Sequence, residues 1–410
     1  MHILLIHQAF TALDEPGGTR HYELSRRLVE YGHRVTVITS PVSYLTGKPR
    51  HLSKKRQPGN LSQGPATSNP GIRILEAYAY PALHRSFVHR TLNFASFMVS
   101  SLLIGLRVGK LDLVWGTSPP IFQGVTAWVV ARLKRVPLLF EVRDLWPAFA
   151  VQVGVLRLPA LIRASEWLER ALYRRADRVM VNSPGFVPYV QLRGAREVTV
   201  LPNGADTSMF NPADGGDQFR QANGLAGRTV VLYAGAHGLS NDLGVVLEAA
   251  NLLRDRDDIV IVLLGDGKEK PGLVAQATRM GLANVCFIDP LPKNEMSCAL
   301  AGADICLAIL KPLPLYATVY PNKVFDYMAA GRPVVLAIAG VIRELLERAG
   351  AGIPVAPGDA SSLARAIRQL ADDPEKRRRM GLAGRTYVAA HFDRANLAEQ
   401  LNRLLESMLA

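Results

Sequence analysis

Short apolar runs of the kind that form buried strands alternate with longer amphipathic segments along the whole chain, and the alternation starts twice. In the first half it predicts strands at residues 3–6, 34–39, 72–76, 113–116, 137–142, 178–182 and 198–201, with helices at 18–31, 91–107, 121–134, 161–176 and 184–193. A stretch rich in Gly, Asp, Asn and Ala follows at 211–227. The pattern then resumes with strands at 229–234, 259–264, 285–288, 305–308, 334–337 and 353–355, and helices at 243–254, 270–280, 293–301, 323–330, 342–349 and 360–370. Strands separated by helices of this length build parallel, doubly wound sheets. The expected fold class is α/β, with one doubly wound domain over 1–210 and a second over 211–388. Residues 211–227 read as the linker, and 389–410 as a C-terminal helix returning to the first domain. Such domains bind ligands beyond the carboxyl ends of their strands, and two of them facing each other make a deep cleft.

The net charge is +13, and its placement is one-sided. Residues 1–210 hold 26 Lys and Arg against 13 Asp and Glu, while 211–410 hold 22 of each. A basic excess confined to one half points to a face that meets a polyanion or an anionic membrane. Residues 94–106 carry no charge, are too few to span a bilayer, and are flanked by Arg85, Arg90, Arg107 and Lys110. The commoner role for such a helix is packing on a sheet; with one side exposed it would lie on a membrane surface. Residues 47–71, rich in Pro, Gly, Ser and Lys, read as a surface loop. Cys286, Cys298 and Cys306 form no CxxC pair, so zinc and disulfide frameworks are not indicated. The N-terminal run lacks the pattern of a signal peptide, and a cytoplasmic protein is expected.

Several strand ends carry chemistry. Gly17 and Gly18 precede a helix, where glycine lets backbone approach a phosphate. No complete GxGxxG is present, which disfavours a dinucleotide oxidoreductase. Arg143 and Asp144 follow a strand in Glu141-Val142-Arg143-Asp144-Leu145-Trp146-Pro147. Asn203 and Gly204 form a tight turn. Gly235, His237 and Gly238 follow the first strand of the second half, and Gly265, Asp266 and Gly267 the second strand; both turns suit an anionic ligand. The segment from Tyr320 to Val335 carries the most information. Pro321 and Asn322 open a helix whose free amides, with Lys323, would hold phosphate. Asp326 sits three residues on, placed to bind ribose hydroxyls.

In these motifs the sequence resembles bacterial family 4 glycosyltransferases of the GT-B fold, two facing Rossmann-like domains with an interdomain cleft. The Glu141–Pro147 segment, the turn at 233–238 and the Pro321-Asn322-Lys323 variant resemble the L-fucosamine transferases of O-antigen and capsule biosynthesis. The resemblance implies a retaining transfer without metal or cofactor. The donor would be a nucleotide sugar, UDP-linked, with the N-acetylated amino or deoxy type as the one the subgroup suggests, and the acceptor a lipid-linked saccharide. Peripheral attachment to the inner face of the cell membrane would follow, with no nucleic acid partner. It further implies that Arg143 and Asp144 act in catalysis. Donor contacts would come from Gly17, Gly18, Asn203, Gly235, His237, Gly238, Gly265, Asp266, Thr318, Asn322, Lys323 and Asp326. The family motif places two Glu residues eight apart; Asp326 takes the second position and Thr318 the first, so one carboxylate is absent. A 2-epimerase of nucleotide sugars and a nucleotide-sugar-binding subunit are the alternatives.

Overall fold

A computed structural model describes residues 1–42, 71–81, 87–212 and 215–409. The expected loop at 47–71 lies, but for Gly71, outside the described residues, as does Arg85. The chain forms two compact units. Unit 1 comprises Met1–Ala12, Gly18–Pro202 and Leu397–Ala410, and unit 2 comprises Leu13–Gly17 and Asn203–Asn396.

The strands of unit 1 are β1 (His2–Ile6), β2 (Arg34–Thr39), β3 (Ile72–Glu76), β4 (Leu113–Ser118), β5 (Leu138–Val142), β6 (Arg178–Val181) and β7 (Val198–Val200). All pair in parallel, in the order β3-β2-β1-β4-β5-β6-β7. The central strands are largely apolar and, but for half-buried His2, buried throughout, as a sheet covered on both faces requires. The helices are α1 (Arg20–Glu30), α2 (Phe87–Arg107), α3 (Phe122–Lys134), α4 (Ala148–Gln152), α5 (Pro159–Arg175) and α6 (Val187–Leu192). The short α4 was not expected from sequence; it buries none of its residues, so it leaves no apolar periodicity to read.

The uncharged stretch at 94–106 lies within α2. Phe97 and Ser101 face inward and are fully buried, whereas Leu92, Val99 and Leu103 are about half exposed. One side of α2 thus packs inward and the other is partly exposed. Among the described residues, no helix is long and apolar enough to cross a membrane.

Unit 2 repeats the design with β8 (Thr229–Ala234), β9 (Ile259–Leu264), β10 (Val285–Ile288), β11 (Ile305–Ile309), β12 (Val334–Ala337) and β13 (Gly352–Pro354), in the order β10-β9-β8-β11-β12-β13. Its helices are α7 (Gly216–Ala222), α8 (Leu243–Leu252), α9 (Lys270–Met280), α10 (Met296–Ala301), α11 (Asn322–Ala329), α12 (Val341–Ala349), α13 (Ala360–Ala371) and α14 (Pro374–His391). A last helix, α15 (Arg394–Ser407), starts in unit 2 and continues into unit 1 from Leu397.

Two boundaries differ from the sequence reading. The chain changes unit at Pro202 and Asn203, not at 210, because Ala205 and Phe210 are buried in the core of unit 2. It returns at Leu397 rather than 389. Residues 213–214 lie outside the described residues; the rest of 211–227 is not a linker, since it contains α7, and Phe219 and Leu225 anchor it in the same core. Polar surface residues around those two anchors hid them from composition. The departing and returning segments run side by side within unit 2, where Ala205 N donates to Phe392 O and Arg394 N to Ala205 O.

In both sheets the strand order reverses direction at one point, between β1 and β4 and between β8 and β11. Ligand crevices of doubly wound sheets open there, beyond the carboxyl ends of the strands. In unit 1 this layout depends on close contact of α3 with β4. A Cβ on Gly116 would lie 2.4 Å from the Ala127 Cβ. Gly116→Val should therefore destabilise unit 1 by about 2 kcal/mol or more through overpacking, measured by urea denaturation; an unchanged midpoint would contradict this packing.

Candidate functional site

At the switch point of unit 1 a buried polar cluster surrounds Glu141, the fourth residue of β5. Arg20 Nε donates to its Oε1 at 3.0 Å, and His21 Nε2 and Trp115 Nε1 donate to Oε2 at 2.7 and 3.0 Å. Arg20 also donates through Nη1 to Pro202 O and through Nη2 to Leu201 O. One carboxylate thus ties the start of α1, β4, β5 and the last residues of unit 1 before the crossing. Burial would raise the Glu141 carboxyl, but His21 and the Arg20 guanidinium hold it well below the usual carboxylate range. Burial pulls His21 down to about 4, against the opposing pull of Glu141. His21 is therefore a neutral donor, and Arg20 is the counter-ion.

His7, immediately after β1, lies against His21 with ring centroids 4.0 Å apart and the rings tilted by 36°. Its Nδ1 donates to Thr117 Oγ1 at 2.8 Å, and its Nε2 accepts from Arg143 Nη1 at 3.2 Å. The cluster therefore positions Arg143, at the carboxyl end of β5, with half-buried packing, while Asp144 is exposed beside it. Gly17 and Gly18 lie in an exposed turn before α1, and a Cβ on Gly18 would meet open space.

At the switch point of unit 2, Gly235 follows β8 with φ +146° and Gly265 follows β9 with φ +144°. A Cβ on Gly265 would lie 1.9 Å from Gly235 O, and one on Gly235 would lie 2.8 Å from Lys323 Nζ. Only glycine permits this approach. Lys323 extends from the first turn of α11 across the mouth of β8. Its ammonium is buried, lies 3.8 Å from the centroid of the Tyr233 ring, and has no hydrogen-bond partner. Burial pulls it down to about 7. His237, under the same turn, is fully buried with neither ring nitrogen partnered, and burial lowers it to about 4, helped by Lys270 and Lys323. An uncompensated cation among glycine backbone at a switch point is an arrangement suited to an anion.

The remaining expected residues divide. Gly235, Gly265, His237 and Lys323 meet around this turn, and Gly238 closes it by accepting from Asn241 N. Asp266 turns back on its own loop, Oδ1 accepting from Gly267 N at 2.8 Å. Asn203 Nδ2 donates to Tyr320 O at 2.7 Å, so it braces the approach to α11. Thr318 Oγ1 donates to Leu315 O at 2.6 Å. Asp326 does not extend the Lys323 cluster: its Oδ2 accepts from Lys293 Nζ at 2.6 Å and Asn322 Nδ2 at 3.1 Å. Lys293, which also lies 4.9 Å from the Phe210 ring centroid, was not anticipated, since Pro292-Lys293 reads as an ordinary helix start. His7, Arg20 and His21 were also missed; the polar residues directly after β1 and after Gly17-Gly18 were the available signal.

The two units match known protein families. Residues 17–204 match the glycosyl transferase 4-like domain, and residues 228–373 match the glycosyl transferases group 1. The chain is a GT-B glycosyltransferase. A putative colanic acid biosynthesis glycosyl transferase, WcaI of Escherichia coli, is 24% identical over 392 residues, 92% of this chain and 93% of that one. Sucrose-phosphate synthase from Thermosynechococcus elongatus superposes with a TM-score of 0.79 at 19% identity, covering 99% of this glycosyltransferase and 98% of that chain. Anabaena Alr3699/HepE, solved in complex with UDP, gives a TM-score of 0.72 at 17% identity, covering 99% and 100%.

The unit 1 cluster gives this glycosyltransferase a pH-linked stability. Glu141→Ala leaves Arg20 buried without its counter-ion and should cost about 3–5 kcal/mol. The folded carboxyl lies below its unfolded value, so its contribution is present above about pH 4 and is lost as pH falls through the folded value. Urea denaturation of both proteins across that range checks this; a loss of about 1 kcal/mol, the scale of a surface ion pair, would contradict the hub.

Proposed function

We propose that this glycosyltransferase binds a UDP-linked sugar through the turn of unit 2 and transfers the sugar, with retention, to a lipid-linked saccharide of a cell-surface polysaccharide. The observation that carries the donor reading is the buried, partnerless ammonium of Lys323 against Gly235. A diphosphate supplies the missing counter-charge, and the amides at the start of α11 add donors. The UDP complex of Anabaena Alr3699/HepE supports the choice of nucleotide. The sequence likeness to L-fucosamine transferases favours an N-acetylated amino or deoxy sugar. The colanic acid role named for WcaI supports a surface polysaccharide as product.

Transfer with retention asks little of a protein base: a diphosphate oxygen takes the proton of the incoming hydroxyl on the face from which the leaving group departs. Rate then comes from positioning and from stabilising the departing diphosphate. In this reading Lys323 carries the second task. Arg143, oriented by His7, and the neighbouring Asp144 contribute to the first. Asp326 binds ribose after exchanging its contact with Lys293 for the sugar hydroxyls.

Calorimetry with UDP tests the donor site. Lys323→Gln should weaken binding by about tenfold or more, the loss of one charge-assisted contact, and unchanged affinity would overturn the assignment. The pH profile gives an independent check. A bound diphosphate favours the charged lysine and raises its pKa above about 7. Affinity for a UDP-sugar is therefore full below pH 7 and falls as pH rises above it, by up to about tenfold per unit. Lys323→Gln should flatten the profile; equal slopes in both proteins would contradict the role of Lys323.

A further inference from the structure

We infer that a cavity at the amino ends of the unit 2 strands binds the phosphate group of a small soluble phosphate ester. The cavity measures about 370 Å³, inside the range of about 300–1,000 Å³ usual for small-molecule sites. Asp304 and Pro333, which line it, immediately precede β11 and β12. It therefore lies at the sheet edge opposite Gly235 and Lys323. α11 separates the two places: Lys323 stands in its first turn, and the carbonyl of Ala329, its last residue, accepts from Arg385 of the cavity. The 8 residues of α11 span about 12 Å of helix, so the cavity is a site apart from the donor turn.

Guanidinium groups wall this cavity. Arg332 follows α11, and Arg377, Arg378 and Arg385 belong to α14. Pro374, Arg378, Leu382 and Arg385 recur at spacings of four, four and three, so α14 turns one face to the cavity. The helix can lie this close because Gly381 has no side chain: a Cβ there would stand 2.0 Å from Gly331 O. Backbone carbonyls hold three of the four arginines. Arg332 Nη2 donates to Pro212 O and Ala301 O, Arg377 Nη1 to Leu370 O and Ala371 O, and Arg385 to the carbonyls of Phe210, Ala329 and Thr207. Among the described residues none of these three pairs with a carboxylate, and Arg332 Nε is buried without a hydrogen-bond partner.

The nearby acids are engaged elsewhere. Asp304 pairs with Arg220 at 2.7 Å and also accepts from Val230 N. Asp372 pairs with Arg256, and Asp373 caps α14 by accepting from Lys376 N. Glu375 answers only Arg378, at 2.8 Å, and both are exposed. Carbonyls thus orient the guanidiniums and leave their charge in place. A guanidinium presents forked donors that match phosphate oxygens, and a tetrahedral dianion can accept from several of them at once. Pro333, Pro374 and Leu382 add an apolar wall beyond the charges. That wall gives room for the organic body of an ester as well as for the anion.

The test is calorimetry of the full chain with ribose 5-phosphate, inorganic phosphate and sulfate, each titrated with UDP at saturation. Ribose 5-phosphate is expected to bind with UDP present, and more tightly than either inorganic ion. Arg332→Gln should weaken it by about tenfold or more, the loss of one charge-assisted contact. Arg378→Gln and Leu382→Glu alter exposed positions that the fold does not depend on. The first should weaken binding and the second, which sets a carboxylate at the cavity wall, should abolish it, while UDP affinity stays unchanged in both. No saturation by ribose 5-phosphate up to about 10 mM, or wild-type affinity in Arg378→Gln and Leu382→Glu, would overturn the assignment. So would sulfate binding as tightly as the ester, which would leave a general anion site, or displacement of the ester by UDP, which would give it to the donor turn. Ester binding that survives Lys323→Gln, in a protein that binds no UDP, would defeat the donor site and uphold this one.

Discussion

A lysine ammonium without a hydrogen-bond partner is an expensive group to hold inside a protein, and the chemistry of unit 2 is organised around one. Lys323 lies over Tyr233, whose ring face offsets part of the lost hydration. The rest of its charge is unanswered. Two glycines keep side chains out of its way, and the parallel sheet ends its strands beneath it. The charge left unanswered at this one strand end is what a diphosphate would relieve. This is why the proposed function rests on Lys323 and not on a longer set of contacts.

Unit 1 solves the opposite problem. Glu141 is fully buried yet receives three side-chain donors, and its counter-ion Arg20 is in turn satisfied by backbone carbonyls at the end of the unit. A carboxylate answered by three donors fixes geometry. Its output is the placement of His7 and, through it, of Arg143. The two units share a strand order and a ligand-facing edge, but one edge holds a satisfied charge pair and the other an unsatisfied cation.

Much of this was legible in the sequence. Local apolar periodicity located the strands closely, because buried parallel strands are short and continuous runs of Val, Ile and Leu. Lys323, Gly235 and Gly265 were legible because each lies directly at a strand end or helix start. What escaped depends on contacts distant in sequence. Lys293 pairs with Asp326 across 33 residues, and Arg20 with Glu141 across 121. The domain boundary escaped for a related reason: Phe210 and Phe219 look like isolated aromatics in a polar stretch, and only packing shows that they belong to the second core.

The central claim is that the turn of unit 2 around Lys323 is the donor-diphosphate site. Amide hydrogen exchange with and without UDP tests it most directly. The account predicts slowed exchange at 235–242, at 265–268 and at 319–326. Protection confined to unit 1, or UDP binding with no change in these three segments, would contradict it.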